Sequence, residues 1–140
     1  MKEILIAVDP HSPARTQAAV AQAVRIFREE GAGIRLVRVR PRVSGHVAMF
    51  FGTRELQLLQ LQEGAEDLRY AQSLLDAAGV PYTSTVLVGR SAETIAKAAR
   101  DYGCDRIVFG EERGLAGRVF GTLAQQVRHL IGGGAQVIGS

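Results

Sequence analysis

The chain has 140 residues, a length that fits one domain with a hydrophobic core that needs no disulfide or metal. Its single cysteine excludes an internal disulfide and fits a reducing compartment, so we expect a cytoplasmic protein. The formal net charge of +3 is dispersed, and aromatic residues make up only 6% of the chain. This composition argues against a nucleic-acid partner. The first apolar segment is too short to cross a membrane, so no membrane partner is expected.

The first part of the chain has the pattern of a strand followed by a helix. An apolar run over 4–8 ends at Asp9 and predicts a strand that is buried on both faces, as in a parallel sheet. Ser12 followed by Pro13 is typical of a helix start, because serine caps helices and proline suits the first helical position. Gly31 is typical of the end of that helix.

The middle of the chain predicts a second strand, a loop and one long helix. The strand is predicted over 34–40 and the loop over 42–53. Apolar residues then recur at spacings of three, four or seven, which predicts an amphipathic helix over 54–78 despite Gly64. The positions expected on its apolar face are Leu58, Leu61, Ala65, Leu68 and Leu75. The acidic residues expected on its solvated face are Glu63, Glu66 and Asp67.

The remaining elements continue the alternation of strands and helices. They are a strand over 82–88, a helix that Ser91 caps and Gly103 ends, a strand over 105–109, a glycine-containing loop over 110–121, a helix over 122–131 and a short strand over 135–138. This order predicts one α/β domain over 1–140, an open five-stranded parallel sheet with helices on both faces. Ligands of such sheets bind beyond the carboxyl ends of the strands, where the strand order reverses.

The glycine-containing loop is the strongest candidate for a phosphate site. Glycines let backbone N–H groups approach a phosphate, and the following helix start carries a partial positive charge. Thr122 would cap that helix and donate its hydroxyl to a phosphate oxygen. The loop matches neither the P-loop nor the dinucleotide fingerprint, and Glu111 and Glu112 would repel an anion. A plain strand-to-helix turn explains the same residues, so both interpretations stay open.

Asp9 follows the first strand at the edge where a ligand is expected. Its carboxylate can accept hydrogen bonds from ribose hydroxyls or from an adenine amino group. Capping of the helix that begins near Ser12 explains an aspartate at this position equally well.

The sequence contains no clear catalytic or metal-binding set. His11, His46 and His129 lie far apart and lack metal-ligand spacing. Cys104 directly precedes a predicted buried strand, so it is expected to be a small core residue and not a nucleophile. We therefore expect no catalytic residues and no protein-bound metal site, although a slow ATPase or phosphotransferase activity stays open.

The chain resembles universal stress proteins along nearly its whole length. The segments that carry the resemblance are 4–9, 36–39, 88–95 and 103–110, together with Arg113-Gly114 and Gly121-Thr122. The resemblance implies a fold like that of the adenine nucleotide α-hydrolases, which is Rossmann-like, and commonly a homodimer paired through the last strand.

The resemblance also implies an ATP site, or a site for another adenine nucleotide, with or without a divalent metal. Asp9 and the backbone of Val39 match the positions that hold adenosine in nucleotide-binding members. The nearest matches to the phosphate-binding positions are Gly110, Gly114, Gly121 and Thr122. The family loop has the form Gly-x2-Gly-x9-Gly-Ser/Thr, whereas this chain has Gly-x3-Gly-x6-Gly-Thr.

Two functions follow from these patterns. The first is a stress-regulatory protein that binds an adenine nucleotide at the carboxyl edge of the sheet. The second is a nucleotide-independent interaction protein that acts as a dimer, which the altered glycine spacing favours because members that lack the loop do not bind ATP. The apolar cluster Met49-Phe50-Phe51 is either a surface for a protein partner or part of the packing over the sheet edge.

Overall fold

The computed structural model describes residues 2–42, 52–110 and 115–139, and of Thr53 and residues 115–122 it describes the backbone alone. Strands and helices alternate along these ranges. The strands are β1 Glu3–Ala7, β2 Gly33–Arg40, β3 Thr83–Val88, β4 Arg106–Val108 and β5 Gln136–Ile138. The helices are α1 Pro13–Glu30, α2 Thr53–Ala78, α3 Ser91–Asp101 and α4 Leu115–Ile131.

The five strands form one parallel sheet in the order β3-β2-β1-β4-β5. The chain therefore builds outward from β1 to β3 and then returns to the other side of β1 with β4. This return makes the boundary between β1 and β4 the point where the strand order reverses, which is where ligands of open α/β sheets bind. The predicted five-stranded parallel α/β fold is confirmed.

Each face of the sheet carries its own hydrophobic core. Successive residues of a strand point to opposite faces, so Ile4 and Ile6 pack on the side of α1 and α2. Leu5 and Ala7 pack on the side of α3 and α4. All buried residues of β1 are apolar, because the strand lies in the middle of the sheet with helices on both faces.

The predicted cap of α1 is confirmed, whereas that of α3 is wrong. The hydroxyl of Ser12 accepts a hydrogen bond from the backbone N–H of Arg15 at 3.3 Å, and Gly31 ends the helix with a φ of 70°. In α3 the cap residue is Arg90, and Ser91 is the first helical residue. The helix begins one residue earlier than predicted because the N–H of Thr94 already bonds to the carbonyl of Arg90 at 2.8 Å.

The predicted buried face of α2 is wrong in its first half. Leu58 and Leu61 are about half exposed, and Ala65 is exposed as well. The buried positions are Gln60, Gly64, Leu68, Ala71 and Leu75. The helix is turned this way because the arginines of β2 bind it through polar groups.

These contacts also correct the placement of Asp67, which is half-buried and not on a solvated face. Its carboxylate lies 2.9 Å from Nε of Arg38 and 3.2 Å from Nη1 of Arg40. Arg40 also pairs with Glu63 and donates to the side-chain oxygen of Gln60 at 2.7 Å. The network fixes the rotation of α2 against the sheet.

Gly64 has a packing role in this arrangement. A Cβ atom at this position would lie 2.3 Å from Cγ1 of Val86 on β3. We expect Gly64→Ala to lower the free energy of unfolding by about 1 kcal/mol, because overpacking costs roughly 1–3 kcal/mol and outweighs the gain in helix propensity of about 1 kcal/mol. Urea denaturation measures the change. The double variant with Val86→Ala should recover part of the loss, and a stabilised Gly64→Ala protein would contradict the proposed contact.

The last helix begins earlier than predicted. We expected a loop over 110–121 and a helix start at Thr122, but α4 begins at Leu115. Leucine or valine stands at every fourth position from Leu115 to Val127, and this continuous apolar stripe outweighs a cost of roughly 1 kcal/mol for each helical glycine. Gly121 and Thr122 therefore lie inside the helix and not at its start.

Some predictions concern residues outside the described ranges. The cluster Met49-Phe50-Phe51, His46, Arg113 and Gly114 are among them. In the part of the chain that the structure describes, no helix combines the length and the apolar character that crossing a bilayer requires.

Candidate functional site

The register of the sheet brings three of the predicted site residues to one edge. Ala7 of β1 is paired with Val37 of β2, so two residues further on Asp9 comes beside Val39. Ile6 is paired with Val108 of β4, and continuing this register places Val8 opposite Gly110. The ends of β1, β2 and β4 therefore meet at the carboxyl edge where the strand order reverses.

The backbone of Val39 faces the space beyond the end of β1. The last bond from β1 to β2 runs from the N–H of Val8 to the carbonyl of Val37 at 3.0 Å, whereas the carbonyl of Arg40 bonds toward β3. Backbone groups of alternate residues point to opposite sides of a strand. The N–H and C=O of Val39 thus point toward β1 at a level that β1 no longer occupies. They offer one donor and one acceptor side by side.

Arg38 modifies this acceptor. Its Nη1 donates a hydrogen bond to the carbonyl of Val39 at 2.9 Å, while its Nε binds Asp67. A carbonyl oxygen has two lone pairs, so it can accept a second hydrogen bond. The guanidinium also brings positive charge to the edge of the site.

Asp9 closes the turn between β1 and α1. Its Oδ1 accepts a hydrogen bond from the N–H of His11 at 3.0 Å, and its backbone carbonyl accepts one from the N–H of Ser12 at 3.3 Å. The side-chain cap of α1 is Ser12, so Asp9 shapes the turn without capping the helix itself. An ionised carboxylate has about four acceptor positions, and one of these is used by His11. The half-buried carboxylate can thus accept further donors from a ligand.

A cavity of about 100 Å³ lies at this edge. Its walls come from the ends of β1 and β2, from the first turn of α3 and from α4. The lining residues include Asp9, Val39, Ser91, Ile95 and Leu123. Sites for small molecules commonly measure about 300–1,000 Å³, so this cavity matches one part of a ligand, such as a planar base, and not a whole nucleotide.

A larger cavity of about 630 Å³ lies along β3 and α3. Its walls carry three basic side chains, Arg42, Arg90 and Lys97, and two acidic ones, Glu93 and Asp101. It lies beside the edge strand, away from the point where the strand order reverses. We assign the site to the smaller cavity because a carboxylate and a backbone donor–acceptor pair converge there.

Gly110 is buried at the end of β4 against the first turn of α1. Its carbonyl accepts a hydrogen bond from Nη1 of Arg15 at 2.6 Å. A Cβ atom on Gly110 would lie 1.9 Å from the backbone oxygen of Arg15. The glycine is required by this close approach of two backbones, whether or not a phosphate also binds here.

The other predicted phosphate residues are not brought to this edge by any described contact. Gly114 lies outside the described ranges, and Gly121 and Thr122 belong to the second turn of α4. Sequence reasoning missed Arg15 as a residue of this region. An arginine in the first turn of a helix gives no signal of burial, because its partner Gly110 is 95 residues further along the chain.

Cys104, His11 and His129 do not line the cavity. Burial raises the pKa of the Cys104 thiol to about 11, which fits the predicted core role because the thiolate is scarce at neutral pH. His11 and His129 are exposed. Within the described ranges, no group of three or more His, Cys, Asp or Glu side chains is arranged to hold a metal ion.

Comparisons with known proteins agree with this architecture. The model of the universal stress protein family matches residues 1–131. No curated protein sequence matches the chain. Among solved structures, a universal stress protein from Archaeoglobus fulgidus in complex with dAMP is 22% identical, with a TM-score of 0.68 over 99% of this chain and 96% of that one.

Two further solved structures are similar in fold. A universal stress protein family protein from Arabidopsis thaliana with AMP bound is 16% identical, with a TM-score of 0.66 over 99% of this chain and 90% of that one. The universal stress protein UspA from Lactobacillus plantarum is 20% identical, with a TM-score of 0.71 over 98% of this chain and 95% of that one.

Proposed function

Because the chain belongs to the universal stress protein family, we propose that it binds an adenine nucleotide where β1 and β2 end at the carboxyl edge of the sheet. One observation carries the proposal: the carboxylate of Asp9 and the strand backbone at Val39 line the same cavity at the reversal of strand order. The nucleotide-bound structures from Archaeoglobus and Arabidopsis support it, since their ligands, dAMP and AMP, are both adenine nucleotides.

The groups of the site match the chemistry of adenosine. The N–H and C=O of Val39 can pair with the adjacent acceptor N1 and donor N6 of an adenine ring. The carboxylate of Asp9 can accept hydrogen bonds from ribose hydroxyls. The phosphates would then extend past Gly110 toward the start of α4, where the helix dipole favours an anion.

The phosphate half of the proposal concerns the predicted glycine segment. Gly114 is proposed to contact the phosphates of ATP, ADP or AMP, with or without a divalent metal, whereas Gly121 and Thr122 lie inside α4 and are not retained as phosphate contacts. The spacing of this segment differs from the family loop, and α4 begins five residues after Gly110. A short connection of this kind suits few phosphates, so AMP is the first ligand to test.

The first experiment is calorimetric titration of the protein with AMP, ADP and ATP, with one blocking variant. Ser91 is exposed at the rim of the cavity, so Ser91→Phe should fill the cavity and abolish binding without disturbing the core. Ser73→Phe places the same ring on the exposed side of α2, and binding should be unchanged. Absence of heat with all three nucleotides at millimolar concentration would defeat the proposal. Binding that survives Ser91→Phe but is lost in Lys97→Glu would move the ligand to the larger cavity.

We propose binding and not turnover as the activity. Among the described residues, Asp9 is the titratable carboxylate that lines the cavity, and its position suits ribose and not a phosphate. A nucleotide that binds without reacting would stabilise one conformation of the site and thereby regulate a partner or a dimer. Phosphate release from ATP above the rate of the Ser91→Phe variant would contradict this part.

The proposal includes a homodimer paired through β5. This strand lies at one end of the described sheet, next to β4, and an edge strand can pair with another chain. It has three residues, of which Val137 and Ile138 are half-buried in the single chain. Light scattering that returns the mass of one chain would rule the dimer out.

A second function is favoured by the size of the cavity. The cavity of about 100 Å³ does not match a whole nucleotide, and a nucleotide-independent interaction protein needs no nucleotide-sized cavity. Leu58, Leu59 and Leu61 of α2 are 43–52% exposed, and such surfaces often bind other proteins. Calorimetry separates the two functions, because this second one predicts no heat with any adenine nucleotide.

A further inference from the structure

Arg15 is the one charged residue that is buried in the part of the chain that the structure describes. It is only 2% exposed, and it is among the largest side chains that are fully buried. Charged side chains are almost never this buried unless their donors are bound, because removing a charge from water costs several kcal/mol. In this protein Nη1 of Arg15 donates to the carbonyl of Gly110 at 2.6 Å. That hydrogen bond joins the start of α1 to the end of β4.

The turn of α1 that contains Arg15 is also bonded to the end of β1. The backbone carbonyl of Asp9 accepts hydrogen bonds from the N–H of Ser12 at 3.3 Å and from the hydroxyl of Thr16 at 3.4 Å. Ser12 in turn caps the N–H of Arg15. One helical turn is therefore fastened to both strands that flank the reversal of strand order.

We propose that Arg15 is a positioning residue of the nucleotide site, which sets the end of β4 at a fixed distance from Asp9. This inference rests on the proposed function, because Asp9 is there the ribose-binding group and the start of α4, which follows Gly110 in the chain, is on the phosphate-binding side. The residue acts through Gly110 and touches no ligand itself.

The two halves of the site should respond differently to loss of Arg15. The turn at Asp9 keeps its own hydrogen bonds from Ser12 and Thr16. Val39 is a residue of β2 and keeps its place through the pairing of that strand with β3. The end of β4 loses a charge-assisted hydrogen bond to the Gly110 carbonyl. A nucleotide that uses both halves is therefore affected more than a nucleoside, which uses only the half at Asp9 and Val39.

The test compares the affinities of AMP and adenosine in three variants. Arg15→Met should weaken AMP binding about tenfold and adenosine binding less than about threefold, the former being the low end of what a lost charge-assisted hydrogen bond produces. Arg15→Lys should restore part of the AMP affinity, because an ammonium can still donate to the carbonyl. Arg25→Met changes an exposed arginine on the same helix and should alter neither affinity. An equal loss for AMP and adenosine, or no loss, would overturn the inference.

Hydrogen–deuterium exchange gives a second readout that needs no ligand. In Arg15→Met, exchange should rise at the amides of Phe109 and Gly110 and stay unchanged at β2 and β3. A uniform rise over the whole chain would show general destabilisation and reject the positioning role. If the wild-type protein binds neither AMP nor adenosine, the proposed function fails, and exchange alone decides whether Arg15 holds the end of β4.

Discussion

Replacement of Gly110 by alanine is expected to lower the free energy of unfolding by about 3 kcal/mol, because the added Cβ atom has no room between two backbones. The new Cβ atom would lie 1.9 Å from the backbone oxygen of Arg15 and 2.7 Å from its Cα. A flexible side chain could move aside, but these are backbone atoms in the first turn of α1. The helix must shift away from β4, and the buried hydrogen bond from Arg15 to the Gly110 carbonyl is then lost.

Chemical denaturation of Gly110→Ala and of a matched glycine variant measures this effect. Gly133 has no atom within 4 Å of an added Cβ, and its φ is not in the left-handed region. Gly133→Ala should therefore change the stability by less than about 0.5 kcal/mol. A Gly110→Ala protein as stable as the wild type would show that α1 and β4 do not approach as closely as described. Phosphate binding would then be the one proposed role that is left for Gly110.

Most of the fold could be predicted because local patterns and tertiary packing agree. The run Ile4 to Val8 is apolar on both faces, which suits only the middle of a parallel sheet covered by helices. Ser12, Pro13 and Gly31 fix the bounds of α1 through capping chemistry that acts within a few residues. Such short-range signals survive any tertiary arrangement, so the alternation of strands and helices and both helical layers follow from them together with right-handed crossovers. The strand order β3-β2-β1-β4-β5 was not predicted, because it depends on which distant strands pair.

The errors arose where a distant partner decides the outcome. The rotation of α2 follows from Arg38 and Arg40, which bind polar residues of the helix and turn Leu58 and Leu61 toward solvent. Helical periodicity alone places these leucines on the buried face, because it contains no information about charged residues on the facing strand. The early start of α4, by contrast, was missed for a local reason, because the glycines within 110–121 favour a loop although apolar residues recur between them at helical spacing.

The candidate site also has a part that could be predicted from the sequence and a part that could not. Asp9 was predicted from its position after the first strand, and Val39 from the resemblance to universal stress proteins. The strand register brings the two together. Gly110 was predicted as a phosphate residue, but the structure gives it a packing role against Arg15. A glycine pattern does not distinguish these roles, because close approach of a backbone and close approach of a phosphate both require the absence of a side chain.

Asp9→Ala is expected to weaken AMP binding at least about tenfold, because the variant loses an ionised acceptor that no neighbouring group replaces. Asp9→Asn should weaken AMP binding less, since the amide oxygen of asparagine can still accept hydrogen bonds from His11 and from one ligand hydroxyl. Both variants should stay folded, because the turn keeps its backbone bond from Ser12 to residue 9. Calorimetry measures the affinities, and Glu29→Ala at the exposed far end of α1 is the matched control.

The ligand can be varied to identify the atoms that Asp9 binds. If the carboxylate accepts from the ribose 2′-hydroxyl, the wild-type protein should prefer AMP over dAMP, and Asp9→Ala should remove this preference. If it accepts from the adenine amino group, the preference over inosine monophosphate should disappear instead. The cavity geometry favours the first result, because the backbone pair at Val39 lies beside Asp9 and is better suited to the edge of the base. Unchanged preferences for both pairs of ligands in Asp9→Ala would remove Asp9 from the site.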